Sequence, residues 1–407
     1  GDEASIILLM AFALWQRFST DGMPWQEIPW WLCAAFLALP AVGVVSALVN
    51  VNPLTTLDHM RYHYRIFLPF ALLPALAYVN LRRLFGTYAV CLGLMAVYGM
   101  IQYRYGVDWF RPEGQKLITP YLGGVFNAKG NFTHHLTYAG FMLINVPFFL
   151  SLAIATRGRE RWAWGATSAL AAIATLVSLG RSGWLGMAVG VLVLAVILLP
   201  RRWGVTAAVS SAVVIVVMAI LLATGWLNAE VGRNAPPIVK RLTQTSFIKD
   251  VDRLRLWESG WLAFEQKPLL GHGWGNQDPA LEPFRQQVSQ KYGGYQFAVK
   301  ASAGLHNIYL QMAFAVGAIG LIAYLYLWGA VFVWCAQGIA RAAPEQAFER
   351  ALLCGIAAGL AGSMAGAWFE NNFLDGEVQA LIMMMMGLAF FAGSRIRAAS
   401  AGKLPKR

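Results

Sequence analysis

The chain has 407 residues, of which 58% are hydrophobic and only 13% charged, with 16 Trp and a formal net charge of +12. Soluble domains carry about 25% charged residues, so this composition excludes an ordinary water-soluble globule. The positive charge does not point to nucleic acid, because short cytoplasmic loops of multi-span membrane proteins are rich in Lys and Arg.

Apolar stretches near the ~20 residues that a spanning helix needs recur along the chain. In order they are Ile6–Trp15, Trp30–Val49, Ile66–Val79, Phe85–Tyr103, Leu136–Ala155, Ala163–Leu179, Trp184–Leu199, Val205–Trp226, Ile308–Ala336, Leu352–Trp368 and Val378–Gly393. They predict an all-α polytopic integral membrane protein with about 11–12 transmembrane helices. Three parts follow: N-terminal transmembrane helices over 1–225, a loop domain carrying short helices over 226–303, and C-terminal transmembrane helices with a tail over 304–407. Cys33, Cys91, Cys335 and Cys354 all fall inside apolar stretches without a CxxC neighbour, which reads as packing.

Basic connectors occur at every second connection: Arg82-Arg83, Arg157 to Arg161, Arg201-Arg202, Arg341 with Arg350, and the tail from Arg395. The positive-inside rule assigns these to the cytoplasm. The connectors Asn50–Arg65, Arg104–Thr133 and Gly180–Ser182, the 226–303 loop and Phe369–Glu377 then face outward. Counting back along this alternation starts the chain outside, ahead of Ile6, with no positive n-region; one further helix before Gly1 is expected.

The outward face nevertheless carries Arg61, Arg65, Arg104, Arg111, Lys116, Lys129 and Arg181. Long loops translocate regardless of charge, which accounts for the cations between Arg233 and Lys300. It does not account for Arg181, in a turn of two or three residues beside the hydrocarbon, where an ionisable group usually faces a polar cavity or partner. An anionic ligand would be such a partner; snorkelling to lipid headgroups is the alternative. In Ser178 to Gly186 the small residues leave Arg181 unshielded, and the glycines allow close approach of neighbouring helices.

The polar loop contains Arg253-Leu-Arg255-Leu-Trp257-Glu258. Read as a helix, Arg255–Phe264 places Leu256, Gly260 and Ala263 on one face and Arg255 at the start, where the dipole favours anions. A guanidinium forks well onto phosphate, and Arg255 is the expected ligand-facing member. One of the pair is expected to meet Asp250, Asp252 or Glu258. The turn-rich Pro268 to Asn276 lacks the context of a phosphate loop; it is expected to shape backbone around a neighbouring helix, with His272 at the surface. His306 opens a long apolar stretch beside Asn307, Tyr309 and Gln311, and imidazole accepts a proton readily near neutral pH. Further back, Thr133 is a plausible helix N-cap, Lys129 a candidate phosphate contact, and His134-His135 interfacial. Two adjacent His without Glu or Cys at ligand spacing make no metal site.

Taken together, the Arg181-Ser182 turn, Arg255 near Trp257, Pro268 to Gly275 with its spaced glycines, and His306 to Gln311 resemble the bacterial O-antigen ligases and their relatives, the O-antigen polymerases and protein O-oligosaccharyltransferases. The resemblance implies a GT-C-like membrane glycosyltransferase of the bacterial inner membrane whose 226–303 loop and active site are periplasmic. It implies a glycan on undecaprenyl pyrophosphate as donor and lipid A–core as acceptor, with membrane lipids around it and no cofactor. Arg181 and Arg255 would bind the pyrophosphate, and His306 would be essential. Arg253, Trp257, Asn307, Tyr309 and Lys129 are the expected substrate-binding residues. The chemistry agrees: two guanidiniums stabilise charge on a leaving diphosphate where no acidic cluster suits Mg²⁺. His306 takes the acceptor proton, and in-line attack inverts the anomeric carbon. A transporter or flippase of a lipid-linked sugar is the reading from another class. It would need charged or discontinuous helices near mid-membrane, whereas these stretches are nearly free of ionisable residues at their centres.

Overall fold

The computed structural model describes residues 27–402 except 51, 112–117, 119, 121–123, 201–236, 239–240, 242–246, 299 and 302–303. The Ile6–Trp15 and Val205–Trp226 stretches, Lys116, Arg201-Arg202, Arg233 and the end of the basic tail lie outside the described residues. Within them the elements are helical: α1 (Trp30–Val49), α2 (Pro53–Met60), α3 (Leu68–Tyr78), α4 (Leu81–Tyr105), α5 (His135–Ala155), α6 (Gly158–Val177), α7 (Arg181–Leu198), α8 (Phe247–Gln266), α9 (Gln277–Lys291), α10 (Ile308–Arg341), α11 (Ala347–Gly366) and α12 (Gly376–Ser400). Seven helices among the described residues are long and apolar enough to cross a bilayer, so the chain is a multi-pass α-helical membrane protein. Thr133 does not cap α5; His134 does, its Nδ1 accepting from Leu136 N at 3.3 Å.

The chain divides into two compact units. The second comprises residues 80–247 and 350–366, with α5 at its centre: Tyr138, Met142, Ile144, Phe148 and Phe149 are fully buried. Helices in lipid gain little from hydrophobic exclusion and rely on close packing of small residues. Gly186 of α7 accordingly faces Gly362 of α11 so closely that a Cβ on either would fall within 2.6 Å of the other's carbonyl oxygen.

The first unit comprises residues 1–79, 248–349 and 367–407. Phe36, Phe70 and Phe390 pin α1, α3 and α12 together with ring centroids 5.2–5.5 Å apart. Its defining feature is a break in α10 at Gly317, whose φ of 71° is left-handed. The 268–273 segment enters the break and bonds the backbone groups released there. His272 N donates to Phe314 O (2.9 Å) and Gly273 N to Ala315 O (2.8 Å), while Ala318 N and Ile319 N donate to Pro268 O and Leu269 O (2.8 and 3.3 Å). The approach is close enough that a Cβ on Gly317 would lie 2.1 Å from Leu269 O, and one on Gly271 2.5 Å from the Ala315 carbonyl carbon. The break leaves about 36 Å of helix from Ala318 to Arg341, enough to cross the ~30 Å hydrocarbon core. Ile308–Val316 is therefore a separate half-helix.

The expectation that Pro268 to Asn276 shapes backbone around a neighbouring helix thus acquires a mechanism. The expectation of a surface His272 is corrected: the ring is buried, stacks on Phe314 at 5.2 Å, and its Nε2 donates to Ala263 O at 2.8 Å. Burial pushes its pKa below the ordinary imidazole value, the Ala263 bond opposing this and the Lys267 charge adding to it.

Gly317→Ala combines a left-handed φ with a backbone clash and is expected to destabilise the protein by at least ~2 kcal/mol. Gly329→Ala, at a helical position with nothing within 4 Å of the new methyl, is expected to be neutral; thermal unfolding in detergent compares the two. Because the depressed His272 favours the neutral ring in the fold, its stabilisation is complete above the ordinary value of 6.5 and is lost as pH falls below it. The protection of the 267–276 amides, corrected for their intrinsic exchange rates, should fall between pH 7.5 and 5.5, and His272→Gln should flatten that dependence.

Candidate active site

His306 closes the loop that leads into α10, and its backbone is held in place before its ring can act. Its φ of 49° lies in the left-handed region, a conformation non-glycine residues keep only where the surroundings enforce it. Those surroundings are present on both sides. Leu305 N donates to Gln311 Oε1 (3.0 Å), Leu305 O accepts from Trp257 Nε1 (3.0 Å), and Ile308 N donates to Ala367 O (3.0 Å). Asn307 caps α10, its Oδ1 accepting from Leu310 N at 3.0 Å, the ordinary N-cap bond. Trp257 and Asn307, expected at the substrate, commit Nε1 and Oδ1 respectively to this frame. Tyr309 packs against Trp368 with the rings tilted by 42° and centroids 4.8 Å apart.

The His306 ring meets Glu370: Nδ1 lies 3.3 Å from Oε2. Glu370 is 3% exposed, and its other oxygen accepts from Arg253 Nη2 at 2.9 Å. A carboxylate only accepts, so Nδ1 is the donor, and in the neutral ring the lone pair is on Nε2. The carboxylate–imidazole arrangement selects the tautomer and stabilises the imidazolium that forms on proton uptake.

Arg253 therefore finds Glu370 rather than a carboxylate of its own loop. Arg255, two residues on, faces another way: its guanidinium lies over the Tyr295 ring at 3.6 Å and the Tyr292 ring at 4.6 Å. The expectation that Arg255 begins its helix is corrected, since α8 starts at Phe247 and Arg255 stands two turns in, away from the positive end. Leu256, Gly260 and Ala263 do line the buried face. Asp252 accepts from Tyr295 Oη at 2.7 Å, while Lys291 and Tyr292 both donate to Glu258. The bond from Lys291 holds the Glu258 carboxyl below its usual range despite partial burial. Burial first, and Asp252 second, raise the Tyr295 phenol.

In the other unit, Arg181 is the first residue of α7, with Gly180 as N-cap. The preceding Leu179 is fully buried at a φ of 57°, a left-handed conformation unusual for a bulky residue. His135 Nδ1 lies 2.9 Å from Ser178 O, and Arg241 Nε donates to Leu179 O at 3.2 Å. The turn thus brings a helix N-terminus, where the dipole favours anions, together with Arg181 and Arg241. Lys129 is engaged elsewhere: its Nζ lies 3.0 Å from Oδ2 of the fully buried Asp108, which also accepts from Tyr98 Oη at 3.0 Å. Among the described residues no three His, Cys, Asp or Glu side chains group as a metal ion would require.

Two of these residues escaped sequence reasoning. Glu370 had no signal beyond its place in an acidic outward connector, 64 residues from His306. Arg241 was one cation among many in a long loop.

Residues 166–325 match the family model described as O-antigen ligase. The matched stretch contains Arg181, Arg241, Arg253, Arg255 and His306; Lys129 and Glu370 fall outside it. A search of curated proteins finds no match to the chain.

Removing the Glu370 carboxylate strands Arg253 and frees the His306 ring. Glu370→Ala should destabilise the protein by about 2 kcal/mol. Glu370→Gln should retain most stability while allowing the wrong His306 tautomer. NMR of labelled imidazole, reading the Nδ1 and Nε2 protonation of His306, checks this, and wild-type tautomer populations in Glu370→Gln would refute the orienting role.

Proposed function

We infer, from a chain whose residues 166–325 match an O-antigen ligase model and support placement in that superfamily, that it is a membrane glycosyltransferase. It moves O-antigen polysaccharide from undecaprenyl pyrophosphate to a terminal sugar of lipid A–core, at the periplasmic face of the inner membrane. The observation that carries this reading is His306 with Glu370 on Nδ1, an arrangement that, in the neutral ring, leaves Nε2 to act as a general base.

In the proposed reaction Nε2 takes the proton of an acceptor hydroxyl as its oxygen attacks the anomeric carbon. The bond from that carbon to the diphosphate oxygen breaks on the opposite face, which inverts the centre. The leaving diphosphate gains negative charge, and guanidiniums stabilise it without any need for a metal. Arg181, at a helix N-terminus, and Arg255 are the proposed diphosphate ligands, with Arg241 as an addition beside Arg181. Arg253 acts through Glu370, which it holds against His306. Trp257, Asn307 and Tyr309 keep the loop in place next to the acceptor. Lys129, already on Asp108, contributes by fixing the outward loop that precedes α5.

Transfer of lipid-linked glycan by the purified chain, with lipid A–core as acceptor, tests the assignment. His306→Gly relieves the left-handed backbone and should fold as stably as wild type while losing at least ~10²-fold in kcat. Arg181→Gln should act mainly on donor-dependent kcat/KM. Undiminished transfer by His306→Gly would remove the base. Growth of glycan on undecaprenyl pyrophosphate without lipid A–core would make the chain a polymerase, and transfer to a protein acceptor would make it a protein O-oligosaccharyltransferase.

A further inference from the structure

The second unit carries a groove of about 600 Å³ between α4 and α6, unrelated to the proposed chemistry. Along α4 it is lined by Gly86, Ala89, Gly93 and Leu94, and along α6 by Ala163, Thr167 and Leu170. Small residues make the trough: nothing approaches within 4 Å of a Cβ built at Gly86, and at Gly93 only Leu170 does, at 3.6 Å. Val90, Leu94 and Val97 on its wall are 63%, 68% and 43% exposed. From Gly86 to Val97 the trough runs about 16 Å, half the ~30 Å hydrocarbon core, the depth of a single leaflet.

One end is strongly charged. Arg82, Arg159 and Glu160 stand at the mouth, Arg82 paired with Glu160, and Arg83, Arg157 and Arg161 flank them, so cations outnumber the lone carboxylate. About 7.5 Å further along α6 lies Trp164, also in the lining and 4% exposed, whose indole N–H has no acceptor among the described residues. A buried donor without a partner costs roughly 1–3 kcal/mol, and an apolar trough supplies none.

We propose that this groove binds one anionic diacyl phospholipid of the leaflet on the basic side. Its phosphate lies between Arg82 and Arg159, an ester carbonyl accepts from Trp164 Nε1, and an acyl chain fills the Gly86–Val97 trough. The charge selects an anion, in keeping with basic pockets between transmembrane helices that hold acidic headgroups. The indole selects a glycerolipid, because a polyprenyl phosphate has no carbonyl below its phosphate. The helical sequence alone places the basic end in the cytoplasm, away from the proposed active face.

Native mass spectrometry of the purified full chain, titrated with dioleoyl phosphatidylglycerol, dioleoyl phosphatidylcholine or a polyprenyl monophosphate, tests the site. Wild type should retain one phosphatidylglycerol in preference to phosphatidylcholine. Arg82→Gln with Arg159→Gln should weaken that binding about 30-fold, and Trp164→Phe should weaken it less. Equal retention of both phospholipids, in wild type and double variant alike, would reduce the groove to bulk lipid contact. Displacement of phosphatidylglycerol by polyprenyl phosphate at equal concentration would assign the groove to the isoprenoid lipid. Crosslinking of a Val90→Cys chain to a cysteine within 205–226, undisturbed by phosphatidylglycerol, would show that the chain itself covers it.

Discussion

A single buried carboxylate organises the chemistry proposed for the first unit. Glu370 joins Arg253 of α8 to His306 at the head of α10, segments far apart in sequence. Burying a carboxylate is unfavourable unless it is paired and hydrogen-bonded, and here each oxygen has a partner. The pairing does more than offset desolvation. By accepting the hydrogen bond from Nδ1 it determines which ring nitrogen is left to act as a base, and Arg253 occupies its other oxygen. In the proposed reaction, imidazolium forms beside a charge already in position to stabilise it.

Side-chain electrostatics of this kind is only as good as the backbone beneath it. The left-handed φ values at Leu179 and His306 share a construction: each is followed by an N-cap, Gly180 or Asn307, and then by the first residue of a helix. The chain turns sharply in both, so that a side chain proposed for the reaction, Arg181 or His306, stands at the helix entrance. Strain of order 1–3 kcal/mol per residue persists because bonds to Leu179 O, Leu305 N, Leu305 O and Ile308 N hold the turns. Both turns belong to motifs that sequence reasoning singled out, and each is built inside its own unit.

The helices were legible because hydrophobic runs are a one-dimensional property. Trp30–Val49 and the apolar core of α5 emerge almost residue for residue, since hydrocarbon sets their length. The buried face of α8 was also readable from Leu256, Gly260 and Ala263. Its start was missed: Phe247, Ile248, Val251 and Leu254 carry the helical spacing on ahead of Arg255, but four charged residues interleave with them and mask it. Which of Arg253 and Arg255 serves His306 was not decidable either. Two residues apart, they point to roughly opposite sides of a helix, and only the position of Glu370 distinguishes those sides. His272 failed for a related reason: an imidazole is a surface group until a particular carbonyl, that of Ala263, is brought to it.

The break in α10 is the feature that a transport reading would have required. Discontinuous helices in transporters expose carbonyls and helix ends that bind substrate or ions. Here the groups of Phe314, Ala315, Ala318 and Ile319 that face the break are each bonded to the 268–273 segment, so those groups offer a ligand nothing to coordinate. The break instead anchors a soluble-loop segment to a membrane helix and makes Ile308–Val316 a short, separately oriented half-helix. A half-helix with His306 at its head and Glu370 against the ring holds that imidazole still, which the proposed group transfer requires and alternating access does not.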